Sequence, residues 1–429
     1  MISTAERLNG LLVDVLGGPV PLRLRAWDGS EHGPADGPVV VLRSRRALRR
    51  LLWQPGELGL AEAYITGDVD IEGDLGDGLR TMWAAAREQR RSPAGPGVAQ
   101  LASAAATALR LGAVGPPPKG PAGRARLRGP LHGTARDRAA ISHHYDVSYH
   151  FYRLLLDPSM AYSCAFWESE EPGYGLADAQ RAKLELICRK LGLQPGSRLL
   201  DVGCGWGSLA LYAAQRHKAQ VTAVTLSSEQ RDFVQARVLE RGLGNRVDVQ
   251  LRHYRAIQRD HYDAIGVIEM GEHVGEAEYP EFAAQLHGLL RPQGRLMVQQ
   301  MSRGASAPGG GAFIESYIAP DMHMRPLGET IGLLERAGLE VRSAESLREH
   351  YVRTVTAWRD TLEKRWQECV SLMGVETARM WRLYLVGGSL AFEQRRMGVD
   401  QILAVRTDEL GCSGLSGTPT DWCLRGNRS

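Results

Sequence analysis

Long apolar runs are missing from this 429-residue chain. A membrane-spanning helix needs about 18 or more consecutive apolar residues. The nearest approach, Val98 to Val114, is Ala-rich and broken by Gln100, Ser103 and Arg110, so no spanning helix is expected. Cysteine is sparse and scattered: Cys164, Cys188, Cys204, Cys369, Cys412 and Cys423 show no metal-ligand spacing. That excludes a zinc site and a disulfide framework, fits a reducing compartment, and leaves no metal expected. Met1 to Gly18 carries Glu6, Arg7 and Asp14 and has no basic head followed by an apolar block, so it does not read as a secretory signal. The expected location is the cytoplasm, peripherally associated with the inner membrane face. Excess charge is also small, 52 Lys and Arg against 49 Asp and Glu, which by itself names no partner. Internal repeats are absent.

What charge there is sits unevenly. Lys119, Arg124, Arg126 and Arg128 fall close together among Gly and Pro, with no acid nearby. They lie in a basic linker, residues 87–138, rich in Pro, Gly and Ala, with one Ala-rich helix expected from Val98 to Leu111. Before it, residues 1–86 mix short β-like runs and helical segments, the pattern of a small α+β domain. After it, residues 139–406 alternate helix and strand patterns at the spacing of a doubly wound parallel sheet. Strands are expected near Arg198 to Val202, Gln220 to Leu226, Arg246 to Leu251, Tyr262 to Glu269, Gly294 to Gln299 and Gln401 to Arg406. A mostly helical stretch, Ile331 to Arg396, interrupts or caps them, and residues 407–429 read as a loose tail.

The glycine-rich turn Leu200-Asp201-Val202-Gly203-Cys204-Gly205-Trp206-Gly207 follows a strand pattern and precedes a helical one. Asp201 ends the strand, and the glycines let a bulky cofactor lie against the backbone and the helix N-terminus. No Lys followed by Ser or Thr comes after the last Gly, so a phosphate-free nucleoside cofactor fits better than a nucleotide phosphate, with S-adenosylmethionine the leading candidate. The next strand ends in Val224-Thr225-Leu226-Ser227-Ser228-Glu229-Gln230, with no acid at its tip for ribose hydroxyls. Thr225 and Gln230 are the substitutes, while Ser227 also has the type and position of a helix N-cap.

Two further segments stand out. Tyr162-Ser163-Cys164-Ala165-Phe166-Trp167 is dense in aromatic and hydroxyl groups and reads either as site lining or as an apolar collar. Glu269-Met270-Gly271-Glu272-His273-Val274-Gly275 falls beyond the carboxyl end of a strand, where open α/β sheets bind ligands. Glu272 and His273 would face the transferable group there, although Glu272 also suits a helix N-terminus.

These four motifs, co-linear over residues 139–406, resemble the cyclopropane-fatty-acid synthase family, which includes the mycolic acid cyclopropane synthases. Ala61-Glu62-Ala63-Tyr64-Ile65-Thr66-Gly67 more faintly resembles the family's smaller lipid-binding domain. The resemblance implies an α/β class I methyltransferase fold with a helical cap, acting on the double bond of an acyl chain in an unsaturated phospholipid. It implies a cofactor site lined by Tyr145, Tyr162, Ser163, Gly203, Gly205, Thr225, Leu226, Gln230 and Tyr254. It also implies a bound bicarbonate ion serving as base, held by the backbone of Cys164, by Glu272 and by Tyr351. The family's His at the end of the fifth strand is here Gln299, which donates a hydrogen bond but does not titrate near neutral pH.

Methyl transfer from the sulfonium to an alkene leaves a carbocation, so the site must stabilise a cation and exclude water. Tyr351 and the aromatics from Tyr162 to Trp167 suit that task. Proton loss from the transferred methyl closes a cyclopropane ring, the family's commonest outcome and the product expected first here. Loss that leaves an exocyclic double bond gives a methylene fatty acid, which a separate reductase converts to a methyl branch. The basic linker fits an anionic membrane surface, at about 1 kcal/mol per charge, equally with a merely solvated linker. It lacks the interleaved aromatics of a nucleic-acid site. A homodimer remains open, as do two other readings: a methyltransferase of soluble small molecules and a catalytically silent lipid-binding relative.

Overall fold

The computed structural model describes residues 2–16, 18–19, 21–90, 106–113, 115–125, 127, 129–133, 136–137, 140, 149–258, 261–304 and 309–416. Tyr145, Arg126, Arg128, most of the expected helix from Val98 and the end of the expected tail lie outside them. The chain forms two compact units: Met1–Arg124 with Gly311–Phe313 and Arg365–Leu390, and Ala125–Gly310 with Ile314–Lys364 and Ala391–Ser429. The expected boundaries therefore shift. Residues 106–113 and 115–124 are not a free linker: Ala108, Leu111 and Ala113 are buried in the first unit's core, and the Lys119 carbonyl accepts from Arg50 at 3.1 Å.

The first unit carries a four-stranded sheet in the order β2-β1-β3-β4, made of Arg23–Arg25 (β1), Glu31–His32 (β2), Val39–Leu42 (β3) and Val69–Glu72 (β4). Leu8, Leu24, Val40 and Leu48 join helices Thr4–Leu16 and Arg46–Trp53 to this sheet. It is the small α+β arrangement expected.

The second unit holds the seven-stranded sheet β10-β11-β9-β8-β5-β6-β7, built from Arg198–Val202 (β5), Gln220–Thr225 (β6), Val247–Leu251 (β7), Tyr262–Ile268 (β8), Leu290–Ser302 (β9), Glu340–Ser346 (β10) and Gly398–Val405 (β11). Strands β5 to β9 run parallel, and β11 and β10 are antiparallel additions at one edge. In β5 every residue but Arg198 is buried, as a strand covered on both faces requires. One face packs on helices Leu176–Lys190, Ser208–Arg216 and Ser228–Glu240, the other on Tyr279–Leu289 and Leu327–Arg336. From β5 the chain winds outward to β6 and β7, then returns to start the other half at β8. The crevice at that reversal lies beyond the carboxyl ends of β5 and β8.

Strand β10 was hidden within the expected helical stretch. Its sequence, Glu-Val-Arg-Ser-Ala-Glu-Ser, has no fully buried position, because an edge strand keeps polar side chains in water. The tail also begins folded: Asp408 accepts from Gln293 at 2.7 Å and from the Cys412 amide at 2.8 Å.

Candidate active site

The glycine turn closes the end of β5. The amides of Gly203 and Cys204 both donate to the Val224 carbonyl, at 3.0 and 2.9 Å, which ties the turn to β6. Gly203, at φ +77°, leaves no room for a side chain, since an added Cβ would lie 2.6 Å from Met270. Gly205, at φ +52°, faces open space. One glycine therefore packs the turn onto the segment that follows β8, and the other keeps a cradle clear.

At the tip of β6, Ser227 caps the next helix, its Oγ accepting from the Gln230 amide at 3.2 Å. Thr225 Oγ1 donates to Gln230 Oε1 at 2.7 Å, which fixes the amide. Gln230 Nε2 is then buried without a protein partner. A buried donor normally has a partner, and a ribose hydroxyl would meet that need. Leu226 follows Thr225 directly, and Tyr254 stands beyond β7, its ring 4.9 Å from Phe282 and its hydroxyl pushed up to about 12 by burial. Burial also pushes the Asp201 carboxyl to about 7; it receives the Ala210 amide, while its Oδ2 has no partner.

Ser163 is held from helix Leu176–Lys190. Lys183 Nζ donates to its Oγ at 2.9 Å and Gln180 Nε2 to its carbonyl at 2.9 Å. The following residues are bonded by helix Arg348–Lys364: Thr354 accepts the Ala165 amide at 3.1 Å, and His350 accepts the Trp167 amide at 2.8 Å. Rings then run unbroken from the glycine turn: Trp206 to Tyr152 at 5.6 Å, Tyr152 to Tyr162 at 5.4 Å, Tyr162 to Trp358 at 5.2 Å and Trp358 to Tyr351 at 6.1 Å.

Cys164, Gln299 and Tyr351 come together as expected, but around a carboxylate from the chain itself. Glu269 Oε1 accepts the Cys164 amide at 2.7 Å and Gln299 Nε2 at 2.8 Å, and its Oε2 accepts the Tyr351 hydroxyl at 2.6 Å. Two of the three groups expected to hold bicarbonate, the Cys164 amide and Tyr351, are thus already committed, as is Gln299 in the place of the family's His. A separate bicarbonate therefore does not fit this arrangement.

Glu272, placed in that group from the sequence, stands outside its hydrogen bonds. Its Oε1 accepts the Met301 amide at 2.5 Å, and its Oε2 has no partner. Burial, then the neighbouring Glu269, pushes Glu272 up to about 8. Burial raises Glu269 too, opposed by Tyr351, the Cys164 amide, Gln299 and Lys183. The Cys164 thiol, raised well above its ordinary range by burial, donates to the Ala165 carbonyl at 3.3 Å, so its part is that of its backbone.

Glu269 is not among the site residues expected from the sequence, although it opens the motif Glu269 to Gly275. Its signal was position: it is the first residue beyond β8. It also holds a left-handed backbone, φ +52°, a conformation that costs a non-glycine residue energy and concentrates at functional sites. Among the described residues no cluster of three or more His, Cys, Asp or Glu is arranged to hold a metal, and no helix is long and apolar enough to cross a membrane.

Sheet order, glycine turn and open cradle define a class I S-adenosylmethionine-dependent methyltransferase. The chain belongs to the mycolic acid cyclopropane synthetase family, whose profile matches residues 132–402. It is 36% identical over 411 residues to a Mycobacterium tuberculosis protein described as a probable fatty acid methyltransferase, covering 94% of this chain and 95% of that one. The tuberculostearic acid methyltransferase UfaA1 of the same organism is 31% identical over 402 residues, covering 90% and 88%. The crystal structure of mycolic acid cyclopropane synthase CmaA1 complexed with SAH and CTAB superposes with a TM-score of 0.59 at 30% identity, covering 62% of this chain and 97% of that one.

Proposed function

We propose that this protein transfers a methyl group from S-adenosylmethionine to the double bond of an unsaturated phospholipid acyl chain, with Glu269 as the base. One observation carries the reading: a half-buried carboxylate at the end of β8 is aimed by three donors and bordered by an aromatic wall.

Gly205, Thr225 and Gln230 would hold the cofactor, which would supply an electrophilic methyl and leave as S-adenosylhomocysteine. The remaining work falls to the chain. The alkene attacks that methyl and leaves a cation on the neighbouring carbon. The ring faces of Tyr162, Trp358 and Tyr351 attract positive charge without bonding to it. A hydride shift from the methylated carbon moves the cation there, and Glu269 then takes a proton from the new methyl, leaving an exocyclic methylene. Losing that proton with ring closure, without the hydride shift, gives a cyclopropane. The methylene product is placed first because the relatives matched along 94% and 90% of this chain are described as fatty acid methyltransferases, the second specifically of tuberculostearic acid. A separate reductase would complete the branch. The cyclopropane product is the second reading, supported by the family match over residues 132–402.

The substrate is placed at an anionic bilayer on the cytoplasmic face, where exposed Lys119 and Arg124 would add about 1 kcal/mol each. Purified protein, methyl-labelled cofactor and unsaturated phospholipid vesicles test the proposal. Label in the lipid is expected, and mild hydrogenation of the released esters should add hydrogen to the product. Label confined to a soluble acceptor would overturn the lipid reading, and a product inert to hydrogenation would assign the ring.

A further inference from the structure

Behind Gln299 a row of polar side chains crosses the sheet. Strand register sets it: Gln299 on β9 pairs with Gln401 on β11, and Gln401 pairs with Glu345 on β10. Lys190, at the last turn of helix Leu176–Lys190, caps the row. Its ammonium donates to Gln401 Oε1 at 2.8 Å and to Glu345 Oε2 at 2.7 Å. Gln401 Nε2 donates to Gln299 Oε1 at 2.9 Å, and Gln299 Nε2 donates to Glu269 Oε1 at 2.8 Å. Lys190, Gln299 and Gln401 are each 3% exposed or less, and Glu345 reaches the surface.

The direction of this chain follows from chemistry. A carboxamide fits a row of hydrogen bonds either way round, presenting oxygen or nitrogen to a given neighbour. An ammonium only donates. Lys190 therefore requires an oxygen from Gln401, which leaves Gln401 only its nitrogen for Gln299. Gln299 must answer with oxygen, and its nitrogen is turned to Glu269. The Cys164 carbonyl, which accepts the same nitrogen at 3.2 Å, supports the outcome. Reversed, the row would press the Gln299 oxygen against the Glu269 carboxylate.

We propose that Lys190 is a positioning residue for methyl transfer: through Gln401 it sets the polarity of Gln299, so that the amide presents N–H to Glu269. This rests on Glu269 being the base. Lys190 stands two side chains away from the reacting atoms, and its role is to keep one hydrogen bond the right way round. It also gives the family's His-to-Gln departure a physical condition. An amide in that place serves an oxyanion only if its direction is enforced.

The test is the pH profile of kcat, since Glu269 must be ionised to accept a proton. The other titratable or charged groups facing Glu269 are Tyr351, Cys164, Lys183 and Glu272, and all stay unchanged in the variants. Lys190→Met should lower kcat about tenfold and move the rising limb upward by about one pH unit, with the KM for cofactor unchanged. Lys190→Arg, still donor-only, should restore the limb in part. Gln401→Glu keeps an acceptor for Lys190 but offers Gln299 no N–H, and should move the limb at least as far. It decides the matter if Lys190→Met does not fold. A limb that stays in place in Gln401→Glu, or in folded Lys190→Met, overturns the proposal. Glu269→Gln separates the two failures: full activity in that variant removes the base itself, whereas an inactive Glu269→Gln beside an unmoved limb removes only the role of Lys190.

Discussion

Tyr351 donates its phenolic hydrogen to Glu269 Oε2 across 2.6 Å, although 82 residues separate them in the chain. The ring is fixed independently, 4.5 Å from Phe392 and 6.1 Å from Trp358. Tyr351→Phe keeps this packing and removes one hydrogen bond to a charged acceptor. Such bonds contribute about 1.5–3 kcal/mol, so methyl transfer should fall by about 10- to 100-fold. Cofactor affinity, measured by titration calorimetry, should not change.

Glu269→Gly removes the carboxylate and leaves three donors facing one another's vacated acceptor. It also relieves the left-handed strain at φ +52°. Activity should fall by at least about 100-fold, the scale of general-base catalysis. Added bicarbonate should recover part of it by taking the freed donors. The wild-type rate should be indifferent to bicarbonate; stimulation would mean that a separate anion is used after all.

Glu272 gives a stability test. Its folded value, about 8, lies above the ordinary 4.5, so the folded state binds more protons than the unfolded state between those limits. Stability is then fully present at low pH and declines as pH rises toward 8, by on the order of a few kcal/mol. Thermal melts of the wild type should drop between pH 5.5 and 8.5 (roughly the titration window). Glu272→Gln keeps an acceptor for the Met301 amide and should flatten that drop.

Gly205→Val should weaken cofactor binding by at least about tenfold, or about 1.4 kcal/mol. The side chain would fill the open cradle, and a β-branched residue resists a left-handed backbone. Gln230→Leu removes the buried amide donors and should produce a smaller loss. Calorimetric titration with S-adenosylmethionine reads both.

Much of the second unit was legible because its signals are local. Strand β5 has its expected bounds, and β6, β7 and β8 end within a residue of theirs. Buried strand positions are mostly apolar, and Gly203 and Ser227 mark the exits of β5 and β6. The polar edge strand β10 gave no such signal. The linker failed for the opposite reason. Its Gly and Pro content was conspicuous, while the small side chains of Ala108 and Ala113 that bury it in the first unit's core were not.

The glycine turn and strand tip expected to face the cofactor were legible from the chain alone. Glycine turn, strand tip and Ser227 cap lie within one short stretch, and backbone sterics and capping act over a few residues. Only tertiary structure decided the catalytic end. Glu269 and Glu272 stand three residues apart at the exit of the same strand, and nothing local separates them. The left-handed turn at Glu269 points one carboxylate at Cys164, Gln299 and Tyr351, while the 3-10 turn Gly271–His273 sends the other to Met301. Those donors come from a loop, a strand and a distant helix, whose meeting point is set by sheet register and core packing.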